Sequence, residues 1–174
     1  MKPFLGMIVF LLFCFPLEGC GNASHSSQGS PSPTPREISS SGQVVKVSST
    51  AVTMSQNGSA DAIVTLSISP GFHVNANPAT FNYLIASEVA PGKLEGINVG
   101  TPGYPVAQKK KFQFANEPLA VYEGDAPIKL SLRAENNSAT GTRSLPITVR
   151  VQACDEEQCF PPATINSTIS VTVK

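Results

Sequence analysis

Leu145-Pro146-Ile147-Thr148-Val149-Arg150-Val151-Gln152-Ala153 alternates apolar and polar side chains and then stops at Cys154. Period-two alternation marks a half-buried β-strand, because successive side chains leave a strand on opposite faces. The same pattern recurs in Val64, Leu66 and Ile68, in Phe112 and Phe114 around Gln113, in Ile128, Leu130 and Leu132, and in Ile169, Val171 and Val173. Turn signals separate these runs: Asn57-Gly58, Pro70-Gly71, Pro91-Gly92, Pro102-Gly103, Gly124-Asp125 and Asn136-Asn137. No stretch carries a helical period. About seven or more short strands punctuated in this way predict an all-β, immunoglobulin-like antiparallel β-sandwich. The chain has no Trp, and its late cysteines lie too close together for an inter-sheet pin, so the sandwich is expected to lack the antibody-type disulfide.

The ends bound the location. Lys2 and the apolar run from Phe4 to Phe15 read as an export signal too short to span a bilayer. Leu17-Glu18-Gly19-Cys20 resembles the bacterial lipobox, with Glu18 as its departure, and makes Cys20 the expected lipidation site of an exported, membrane-anchored lipoprotein. Cys14 leaves with the signal (residues 1–19). Residues 20–42 form a Ser- and Pro-rich tether that cannot bury enough surface to offset its ordering entropy. A flexible tether of ~20 residues has a reach of about 25 Å. Residues 43–174 are expected to form one domain, a monomer with its own core.

Lys plus Arg and Asp plus Glu are balanced at 12 each, so no basic excess points to nucleic acid. Lys109-Lys110-Lys111 reads as a solvated face. No Ser-His-Asp arrangement, glycine-rich phosphate loop or supported carboxylate pair suggests a hydrolase.

Chemistry concentrates at Cys154-Asp155-Glu156-Glu157-Gln158-Cys159-Phe160-Pro161-Pro162. With Cys14 removed and Cys20 acylated, Cys154 and Cys159 are the whole thiol inventory of the mature chain, in an oxidising compartment. If Ile147, Val149 and Val151 face the core, Cys154 faces away, at an accessible strand end. Pro161-Pro162 fixes the exit of the loop. As a staple, so short a loop contributes only roughly 2 kcal/mol. As a redox pair, it offers two thiols in mutual reach with one open to a partner. Asp155, Glu156 and Glu157 disfavour a thiolate, and no Cys-X-X-Cys stands at a helix N-terminus, so a passive carrier fits better than a hyper-reactive thiol. Cys154, Cys159 and His73 make at most three metal ligands without zinc spacing, although two thiolates suit Cu(I). No metal and no cofactor beyond a redox-active disulfide is expected.

Val151-Gln152-Ala153-Cys154 and Cys159-Phe160-Pro161-Pro162, with their four-residue gap, resemble the N-terminal periplasmic domain family of the thiol:disulfide interchange protein DsbD. Pro70-Gly71-Phe72-His73-Val74-Asn75-Ala76-Asn77-Pro78, Tyr104-Pro105 and Leu119-Ala120-Val121-Tyr122-Glu123-Gly124 match further family features in order, so the resemblance covers Val45 to Val173. It implies an immunoglobulin-like carrier of reducing equivalents, a thiol:disulfide oxidoreductase-type protein that needs protein partners. Those partners would be a membrane thiol–disulfide donor and periplasmic thioredoxin-fold proteins. By the resemblance Cys154 and Cys159 are the redox pair, with Cys159 forming the mixed disulfide and Cys154 resolving it. An aromatic cap shields the pair in the family. Tyr122 is the nearest candidate here, although Val121 replaces the family's Phe and Glu123 precedes Gly124. Phe72, His73 and Asn75 would border the site. The family's membrane and thioredoxin-like domains are not in this sequence, so the expected donor is a separate protein. The rival expectation is a non-catalytic envelope module with a permanent staple.

Overall fold

The computed structural model describes residues 38–174. The expected signal segment, Cys20 and the expected tether up to residue 37 lie outside the described residues. A single 3-10 turn (Ser41–Gln43) leads into twelve strands: β1 (Val45–Ser49), β2 (Val52–Met54), β3 (Ser59–Ile68), β4 (His73–Asn75), β5 (Glu88–Pro91), β6 (Ile97–Val99), β7 (Gln108–Lys110), β8 (Leu119–Tyr122), β9 (Asp125–Ala134), β10 (Gly141–Val151), β11 (Ala153–Cys154) and β12 (Ala163–Val173). They form three four-stranded sheets, ordered β1-β3-β9-β6, β2-β12-β10-β5 and β11-β4-β8-β7. Every pairing is antiparallel except β2 with β12. No helix among the described residues is long and apolar enough to cross a membrane.

Alternation decides which face is buried. Along β9, Ala126, Ile128, Leu130, Leu132 and Ala134 are buried, and every residue between them is exposed. These residues join Val64 and Leu66 of β3, Leu145, Ile147, Val149 and Val151 of β10, and Ile169 and Val171 of β12 in one core between the two large sheets. Full burial of each Leu, Ile or Val contributes roughly 1.5–3 kcal/mol. The all-β immunoglobulin-like sandwich expected from the sequence is therefore what forms.

The turns follow their signals. Asn57 takes a left-handed conformation (φ 61), and at Gly58 an added Cβ would stand 2.8 Å from the Ser55 carbonyl. Gly124 is also left-handed (φ 62), and its carbonyl accepts the Ile68 N–H at 2.8 Å.

Two expectations change. Phe112 and Phe114 lie not in a strand but in the loop after β7, where Phe112 is buried and Phe114 is 41% exposed. Lys111 Nζ closes that loop on the carbonyls of Ala115 and Asn116. Apolar residues two apart mimic a strand when both rings simply pack the same way. Ser41, assigned to the tether, is fully buried, and Ile38 before it already packs against the main core.

Candidate functional site

The β10–β12 register explains where the cysteines fall. It ends with Val151 opposite Ala163, and the next partner would be Pro162, which has no N–H to give. The chain leaves this ladder at Gln152 and joins the small sheet as β11, pairing Ala153 with Val74 and Cys154 with His73. It then turns back on itself. The Asp155 N–H donates to the Gln158 carbonyl at 2.9 Å, and the Phe160 N–H donates to the Ala153 carbonyl at 2.9 Å. The Asp155 carboxylate accepts the N–H groups of Glu157 and Gln158, both at 2.8 Å. In this hairpin Cys154 and Cys159 stand directly opposite each other and are joined as a disulfide, with Cα atoms 3.9 Å apart.

The acidic triplet thus divides its work. Asp155 caps the turn, while Glu156 pairs with Lys110 Nζ at 3.0 Å. Lys110 also holds Glu123 at 2.7 Å, which ties the hairpin to the end of β8, and both carboxylates raise the Lys110 pKa.

The small sheet has two different faces. Val74, Tyr122 and Ala153 point into the main core. His73, Val121 and Cys154 point the other way, because directly paired residues share a face and neighbours along a strand do not. Cys154 does turn away from the main core, as alternation requires. The expectation that this makes it accessible is wrong: Cys154 is fully buried. A second apolar cluster lies over this face, built from Phe112, Leu119 and Val121 with Phe81, Leu84 and Ala115 packed against it. Cys159 is half-buried and lines two surface openings. One lies between Phe72, Phe160, Pro161 and Ile38; the other is bordered by Tyr83, Leu84, Phe114 and Leu119.

The remaining predicted site residues separate. Phe72 packs against Phe160 with ring centroids 5.8 Å apart and borders Cys159. His73 lies beside Cys154 in the register and stacks on Phe112 at 4.0 Å. Asn75 pairs with Val121 and so shares the face of His73 and Cys154; it is fully buried, its Nδ2 donates to the Ile85 carbonyl at 3.1 Å, its backbone carbonyl accepts the Ser87 hydroxyl at 2.7 Å, and its Oδ1 has no partner. Those bonds anchor the loop that carries Phe81, Tyr83 and Leu84. Tyr122 is 4% exposed within the main core, its hydroxyl accepts the Asn77 N–H at 3.2 Å, and it lines neither opening beside Cys159. Besides Phe72 and Phe160, the aromatic residues near the pair are Phe112, Phe114 and Tyr83. Sequence reasoning passed over Tyr83 and assigned the two phenylalanines to a strand. The signal for the first was Phe81-Asn82-Tyr83-Leu84, an aromatic cluster in an otherwise loop-like stretch.

Ser41 was also missed. Its hydroxyl donates to the Pro161 carbonyl and accepts the Ala153 N–H, each at 2.8 Å, so it bridges the two arms of the cysteine hairpin. Ser41→Ala leaves the buried Ala153 N–H without a partner and is expected to cost about 1–3 kcal/mol, read as a lower urea midpoint.

Burial holds the His73 pKa below its ordinary 6.5, against the opposing pull of Glu123. Well above pH 6.5 the imidazole is neutral in both folded and unfolded chains and contributes nothing to the pH dependence. As pH falls below that value the unfolded chain takes up a proton that the folded one refuses, so stability declines until the folded pKa is passed. Urea midpoints measured from pH 7.5 down to 5 are expected to fall in the wild type and to fall less in His73→Phe. Among the described residues no cluster of three or more His, Cys, Asp or Glu is placed to hold a metal.

An immunoglobulin-like sandwich that carries a short-loop disulfide on a small side sheet defines a class. The chain matches the family described as thiol:disulfide interchange protein DsbD, N-terminal, over residues 41–170, and it belongs to that family. Among solved structures it is similar to the N-terminal periplasmic domain of ScsB from Proteus mirabilis, at 12% identity and TM-score 0.47 over 74% of this chain and 46% of that one. It thus spans about half of that structure's length. Other matches are a PapD-like domain of human CEP192 (12% identity, TM-score 0.35, 87% of this chain and 96% of that) and the Escherichia coli fimbrial subunit AggA (10%, 0.34, 75% and 94%). No curated protein matches the chain.

Proposed function

We propose that this protein carries reducing equivalents between envelope proteins by thiol–disulfide exchange at Cys154–Cys159, on the periplasmic side of a membrane to which Cys20 anchors it. The redox group is the disulfide itself. The observation that carries the reading is the asymmetry of the pair: Cys154 is sealed, while Cys159 borders two openings. A donor thiolate attacks the Cys159 sulfur, the intramolecular S–S bond breaks, and Cys154 leaves with the electron pair and takes a proton. The second donor thiol then attacks its own partner sulfur in the mixed disulfide and releases Cys159. Two electrons have moved, the donor is a disulfide, and the carrier is a dithiol. The reverse sequence reduces an acceptor. Thioredoxin-fold proteins suit both steps, because they present one exposed cysteine with a second in reach. A lipid at Cys20 would raise the local concentration of a membrane-bound donor.

The complete burial of Cys154 favours one rival, a permanent staple in a binding module. A trapping experiment separates the two. Cys154→Ala removes the carrier's resolving thiol, and a carrier should then accumulate a mixed disulfide with a thioredoxin-fold protein whose own second cysteine has been replaced and whose exposed cysteine is supplied as an aryl mixed disulfide. No adduct at Cys159 would contradict the carrier reading.

A further inference from the structure

Across the small sheet, His73, Cys154 and Cys159 stand in a single row. β4 pairs His73 with Cys154, and Cys154 pairs with Cys159. Directly opposed residues of antiparallel strands project to the same face with Cβ atoms about 4.5–5.5 Å apart. The imidazole is 1% exposed and lies flat on Phe112, with an interplanar angle of 20°. Its Nε2 is buried and has no hydrogen-bond partner. Such an atom costs free energy, and Phe or Leu would pack on Phe112 without that cost. Packing therefore does not explain a histidine here.

Redox state does. In the disulfide form the cysteine beside His73 has no proton to offer. Reduction gives Cys154 an S–H group on the same buried face, where no water competes. The register sets that S–H beside the residue whose nitrogen is orphaned.

We propose that His73 is the proton-exchanging partner of Cys154. In the dithiol form Nε2 accepts the Cys154 S–H. When Cys159 has formed a mixed disulfide with an acceptor, Cys154 attacks the Cys159 sulfur and its proton passes to Nε2. The acceptor sulfur leaves as a thiolate and then takes that proton. The balance is closed: one S–S bond forms within the carrier, one breaks to the acceptor, and two electrons leave with the acceptor sulfur. This role rests on the carrier reading above. Burial keeps the imidazole neutral near pH 7, so one ring nitrogen can accept, a role the proposal gives to Nε2. Glu123, Glu156 and Asp155 then favour the transient imidazolium, while Lys110 opposes it.

The test is a single turnover of the reduced full-length body with an aromatic disulfide that releases a coloured thiolate. The first release reports attack by Cys159 and scales with reagent. The second is unimolecular and reports closure by Cys154. In His73→Phe and His73→Gln the first release should be unchanged. The second should slow by roughly tenfold or more at neutral pH, and should converge on the wild-type rate in alkali, where the thiolate forms without a base. A second release that is unchanged, or slowed equally at every pH, overturns the proposal, since lost packing has no reason to vanish in alkali. The wild-type profile gives the same decision if a variant does not fold: the second release should lose rate on the acid side of pH 6.5, as His73 becomes protonated. A rate that depends on pH only near the ordinary thiol range, about 8.5, overturns the role. Failure of the wild type to release any second thiolate contradicts the carrier reading itself.

Discussion

Alkylation of the reduced protein is expected to mark Cys159 first and Cys154 only after the sheet edge opens. Cys159 borders two openings, whereas Cys154 is fully buried beside His73, on which Phe112 of the second apolar cluster stacks. A buried thiol meets reagent only through local opening, and every ~1.4 kcal/mol of opening free energy costs about a factor of ten in rate. With an opening cost of about 3 kcal/mol, the two single-cysteine variants should differ by roughly a hundredfold. Cys154→Ala, which retains Cys159, should react fast; Cys159→Ala, which retains Cys154, should react slowly. Rates within a factor of about two would mean that the cover does not shield one cysteine from the other, and would remove the basis for giving them different roles. The same asymmetry predicts that Cys159→Ala abolishes exchange with protein partners, because the surviving thiol cannot be reached.

Phe112→Ala is expected to be the most damaging change to the cover. The ring is 1% exposed, stacks on His73 at 4.0 Å and on Phe114 at 5.4 Å, and forms the centre of the second cluster with Leu119 and Val121. Removing a buried Phe costs about 3–5 kcal/mol, which for a domain of this size lowers the melting temperature by about 10 °C or more. Cys154 should become reactive in the folded variant, narrowing the gap between the two thiols. Phe114→Ala provides the contrast. That ring is 41% exposed and lines the opening beside Cys159, so its loss should cost little stability while changing access to Cys159. A Phe112→Ala protein as stable as the wild type, with Cys154 still unreactive, would place the shield elsewhere.

The sandwich was legible because its long strands bury one face cleanly. Val64 and Leu66, Ile128 to Leu132, Ile147 to Val151, and Ile169 to Val173 all go where period two sends them. The cysteine pair was legible from its spacing and from its resemblance to a family, and its hairpin follows from Pro162 ending the β10–β12 ladder. What alternation cannot report is what lies over a face. It gives the direction of Cys154 correctly, but the same face also carries Phe112, which stacks on the neighbouring His73 from an irregular loop more than forty residues away. Tyr122 failed as a cap for a related reason. Pairing with Val74 commits its side chain to the main core, while its neighbour Val121 takes the redox side. Ser41 was hidden because a polar residue beside a Ser- and Pro-rich stretch looks like linker. Its role appears only once Ala153 and Pro161 are adjacent in space.

The most direct test of the account is the reduction potential of Cys154–Cys159 in the folded protein, measured by equilibration in thiol redox buffers with alkylation trapping. A carrier should titrate reversibly at about −270 mV or higher, in the range of thioredoxin-like exchange partners. A bond that stays closed below about −300 mV, or opens only when the protein unfolds, would contradict the exchange reading and leave a structural staple in its place.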